Sequence, residues 1–88
     1  MDISTQTAAE RIARVLAGQR LSANAEGDEE SASPEVENCW KDYLMDAAAA
    51  LRTLREPDAA MAEAGDPAVW ERMILVAIEQ TKPDTVVL

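Results

Sequence analysis

The stretch bracketed by Ser33-Pro34 and Glu56-Pro57 constrains this chain more than any other. Proline is tolerated at the first helical position, whereas the residue before a proline is pushed out of the helical region. The bracket therefore predicts one amphipathic helix of about six turns, capped by Ser33 and ending near Arg55. On a wheel with Trp40 at zero, Val36, Tyr43, Leu44, Ala47, Leu51 and Leu54 fall within about 60°. Lys41, Asp42, Asp46, Ala49 and Arg52 take the far side. Such an apolar stripe lays a surface helix on a core, and Trp40 and Tyr43 bring to it the large burial of aromatic rings.

The rest of the chain offers this helix little bulk to pack on. Apolar residues make up 48% of the 88 residues, but seventeen are alanine and there is no phenylalanine. Helices packed closely through small residues are expected, in one domain over residues 1–88, with a second subunit adding burial. The net charge of −9 repels nucleic-acid backbones and anionic membranes and suits a basic protein partner. One cysteine, Cys39, allows no internal disulfide. Met1-Asp2-Ile3-Ser4 has neither the basic start nor the apolar run of a signal peptide, and Met73 to Ile78 is too short to span a bilayer. The expected location is cytoplasmic.

The other elements are marked by their caps. Thr7-Ala8-Ala9-Glu10 reads as a capping box with Ser4 as rival cap. The helix it opens carries Ala8, Ile12, Val15 and Leu16 on one stripe and a Glu10–Arg14 pair. Gly18 is its expected stop, with an extension to about residue 22 left open. Residues 22–33, acidic and without a large apolar side chain, predict a mobile loop. Asp58 caps a short helix over Ala59 to Ala64, with Met61 turned inward and Gly65 ending it. Asp66 and Pro67 open a last helix that runs to about Gln80. An apolar tail, residues 83–88, follows.

Chemistry finds few carriers. With no histidine, the commonest general base and metal ligand is missing, and Cys39 has no histidine partner to activate it. Asp42 and Asp46 lie one turn apart but fall short of the oxygens a hard cation needs, and Glu26, Asp28, Glu29 and Glu30 lack the alternation of a calcium loop. Arg52 and Arg55 flank the corner at Pro57, where an anion or the helix's own negative end would attract them. No catalytic, cofactor or metal residue is assigned.

Leu54-Arg55-Glu56-Pro57, Ala60-Met61, Ala64-Gly65 and Trp70-Glu71-Arg72-Met73-Ile74 follow in close order after Trp40 and Tyr43. This resembles a group of small alphaproteobacterial proteins, often phage- or prophage-associated, with the pattern L-R-E-P-x-x-A-M-x-x-A-G followed by W-x-x-M-I. The resemblance covers roughly residues 36–78 and departs in the short link Gly65-Asp66-Pro67. It implies a small helical protein and brings no site residues.

The expected fold is all-α, a small bundle of three main helices plus one short helix. Trp40, Leu44, Leu51 and Leu54 should meet Trp70, Met73, Ile74 and Ile78, with Ile12, Val15 and Leu16 covering the groove. The last helix is too apolar for one core: Val69, Leu75 and Val76 project outside its inward stripe. They are the candidate interface of a homodimer, the commonest assembly. The expected function is a non-catalytic, self-associating helical interaction module. The alternatives are an acidic decoy for a nucleic-acid-binding host protein, and a small enzyme or metal-binding protein.

Overall fold

Residues 3–24 and 34–82 are described by the computed structural model, and every regular element among them is helical. Helix α1 spans Ala8–Asn24, α2 Pro34–Cys39, a 3-10 turn Trp40–Tyr43, α3 Leu44–Leu54, α4 Ala59–Ala64 and α5 Pro67–Glu79. The fold is all-α. The Ser33 cap, residues 25–33 of the acidic loop and the apolar tail 83–88 lie outside the described residues.

Local chemistry sets most helix ends. Thr7 Oγ1 accepts the Glu10 N–H at 3.0 Å, which satisfies one orphan donor of α1. The Glu10 carboxylate does not close the box; its Oε2 accepts from Arg14 Nε at 2.7 Å instead. Asp58 accepts from the Met61 N–H and Asp66 from the Ala68 N–H, both at 2.9 Å. Pro67 stands at the start of α5. Gly65 ends α4, as expected, in an extended conformation with φ −160° and ψ −160°. Gly18 does not stop α1, which continues to Asn24. A glycine inside a helix costs about 1 kcal/mol relative to alanine, and the burial of Gly18 next to Ala17 outweighs that preference.

The segment from Pro34 to Leu54 is bent where one straight helix was expected. Cys39 (φ −125°, ψ −1°) and Tyr43 (φ −102°, ψ 9°) leave helical values for the bridge region between α and β. The turn between them tightens to i→i+3 bonding, with the Leu44 N–H donating to the Lys41 carbonyl. The cause is tertiary. The pieces α2, 3-10 turn and α3 all pack on α1, and the bend lets Val36, Trp40 and the Ala47–Ala48–Leu51 face share that one rod.

Alanine dominates the core. Ala9, Ala13 and Ala17 repeat at four-residue intervals on α1 and are fully buried, as are Val36 and Ala47, with Ala48 at 1% exposure. Leu51 joins Ala9, Ile74 and Ala77 in a cluster edged by Ala8, Ile12, Leu44, Trp70 and Ile78. Trp40 does not pair with α5 as expected: it lies against α1 under Arg14. Leu54, Val15 and Met73, also expected inside, are 43%, 50% and 63% exposed. Trp70 takes the place at α3, where its indole N–H donates to the Leu54 carbonyl at 2.7 Å. That carbonyl belongs to a last turn with no helical partner of its own.

Candidate interaction surface

Among the described residues the densest polar cluster joins α1 to α2. Arg14 donates through Nε to Glu10 and through its two terminal nitrogens to Glu37 Oε1 and Oε2, at 2.9 and 3.0 Å. The Glu37 contact is bidentate, the geometry that suits a guanidinium to a carboxylate. The Arg14 guanidinium carbon also lies 5.0 Å from the centre of the Trp40 ring, with Lys41 Nζ 5.8 Å from the same ring, both within cation–π range. These hydrogen bonds, and then the guanidinium's charge, hold the Glu37 carboxyl below its ordinary range and push the Arg14 pKa up. With its nitrogens engaged inside the chain, Arg14 works as a clamp that fastens the bend to α1.

The other candidates stay apart. Cys39 is a half-buried free thiol, and Asp42 and Asp46 are exposed. Among the described residues no three His, Cys, Asp or Glu side chains gather where they could hold a metal ion. Arg55 Nε comes within 3.7 Å of Glu71 Oε2, so its charge is drawn to α5.

Apolar surface concentrates on the hairpin of α4 and α5. Among the described elements α4 packs tightly on none. A groove of about 420 Å³ lies along it, lined by Pro57, Met61, Gly65, Val69, Trp70 and Met73 among others. Met61, expected to point inward as an anchor, is 38% exposed there. The groove's polar groups are already used: Asp66 caps α5 and the Trp70 N–H is spent on Leu54.

The three residues singled out on the last helix are exposed, Val69 at 38%, Leu75 at 44% and Val76 at 59%. With Arg72 at zero on a wheel, Leu75 falls at about −60°, Val76 at about +40° and Val69 at about +60°. Val69, which also lines the groove, and Val76 lie on one side of the outer face and Leu75 on the other. The buried residues Ile74, Ala77 and Thr81 lie near 180° on the same wheel. Sequence reasoning missed the groove itself, which depends on how the Gly65-Asp66-Pro67 corner sets α4 against α5.

No protein-family model, curated protein or solved structure matches the chain. Among the described residues no helix is long and apolar enough to cross a membrane.

Proposed function

We propose that the chain is a non-catalytic cytoplasmic interaction module that self-associates, as a homodimer, through the outer face of α5. The observation that carries this reading is the exposure of Leu75 and Val76 on a helix whose opposite side already serves the core. A helix apolar on more than one face is normally covered on more than one face. The alanine-rich core strengthens the case, because few large side chains among the described residues are buried within one copy and a second copy supplies more. The acidic charge leaves a basic protein as the natural further partner.

Sedimentation equilibrium on the parent and on the double variant Leu75→Lys, Val76→Glu tests this. Two-fold symmetry makes every substitution count twice. With roughly 1 kcal/mol lost for each half-exposed side chain, association should weaken at least about a hundredfold while helicity persists. A parent that stays monomeric at millimolar concentration overturns the proposal.

A further inference from the structure

The outer face of α5 carries charges in a self-complementary order. With Arg72 at zero, Ala68 lies at about −40°, Glu79 at about −20°, Leu75 at about −60° and Val76 at about +40°. Arg72 and Glu79 thus run down the middle of the face, about 10 Å apart along the axis, with the two apolar side chains between them. Both are exposed. Glu79 makes one weak local contact, to Lys82 Nζ at 3.1 Å between two largely exposed side chains. Among the described residues Arg72 has no ion-pair partner, unlike Arg14 and Arg55.

We infer that a second copy docks antiparallel along this face, its two-fold axis passing between Leu75 and Val76. The inference rests on the self-association proposed above and gives it an orientation. An antiparallel pair with that midpoint sets Arg72 opposite the partner subunit's Glu79, and the symmetry repeats the contact at the other end. At the centre Leu75 then meets the partner subunit's Leu75 on one side of the axis, and Val76 meets the partner subunit's Val76 on the other. A parallel pairing places Arg72 beside Arg72 and Glu79 beside Glu79, a like-charge arrangement at both ends. Charge complementarity therefore selects one orientation. A contact limited to one helix of 13 residues is smaller than a standard interface, so the dimer is weak and best read at high protein concentration.

Charge reversal tests the register on the full chain. Arg72→Glu and Glu79→Arg each create like-charge pairs at both ends of the antiparallel dimer. Each should weaken association roughly tenfold at low ionic strength. The double variant restores both pairs with reversed polarity and should return to within about threefold of the parent. The two single changes shift net charge in opposite directions, so a general repulsion effect would weaken one and strengthen the other. Sedimentation equilibrium supplies the constants, and circular dichroism checks that these exposed substitutions leave the helices intact. Opposite effects of the single variants, or a double variant as weak as the singles, overturn the antiparallel register while self-association stands. A parent that does not associate overturns both.

Discussion

Ala13→Leu tests whether close approach of helices, and not bulk, holds this fold together. Ala13 sits at the centre of the Ala9–Ala13–Ala17 row, with no exposed surface, on the helix that the 3-10 turn and α3 pack against. Leucine is almost as good a helix former as alanine, so intrinsic propensity shifts by only a few tenths of a kcal/mol. If the interface had room, the added carbons would contribute about 2 kcal/mol of further burial. Without room, they drive the helices apart or force strained rotamers, at about 1–3 kcal/mol. The two cases differ in sign, which makes the result decisive. The domain's whole stability is on the order of 4–13 kcal/mol for its length, so a 2 kcal/mol loss is large. In urea, with a slope of about 1–2 kcal/mol/M, the midpoint should fall by roughly 1 M. Val15→Leu, on the half-exposed side of the same helix, serves as control and should stay within about 0.5 kcal/mol of the parent. An Ala13→Leu protein that melts at or above the parent with unchanged helicity would refute the idea that alanines set the helix spacing.

Two further outcomes are expected. Gly65→Ala should raise stability by about 0.4–1 kcal/mol in the same urea assay, because the backbone there is extended and an added Cβ meets nothing within 4 Å. Glu37 is held below its ordinary value of 4.5 by Arg14, so its contribution is fully present above that pH and is lost as pH falls through the lowered value. Urea midpoints taken downward from neutral pH should therefore fall less steeply below about pH 4.5 in Glu37→Gln than in the parent, and identical slopes would remove Glu37 from the acid response.

What could be read from the residues alone was whatever a few neighbouring residues decide. Thr7, Asp58 and Asp66 each satisfy a backbone N–H two or three positions on, and Pro67 fits a helix start whatever surrounds it. The α4–α5 corner and the all-α class follow from such local choices, as does the expectation of small-residue packing in so alanine-rich a chain. The bend at Cys39–Tyr43 is different in kind. It belongs with contacts to α1, among them the Arg14–Glu37 pair, whose members stand far apart in sequence. A wheel that advances by a fixed angle carries no information about such a partner. Once the turn tightens, the phase of every later residue shifts, and Trp40 leaves the face it appeared to share with Leu54. Met73 was misplaced for a related reason. On a wheel centred on Ile74, Met73 lies about 100° away, at the edge of the stripe, and there it is exposed and lines the groove. Periodicity locates a stripe to within about one residue's rotation. On a helix apolar over much of its circumference, that margin separates a core residue from one that faces a partner.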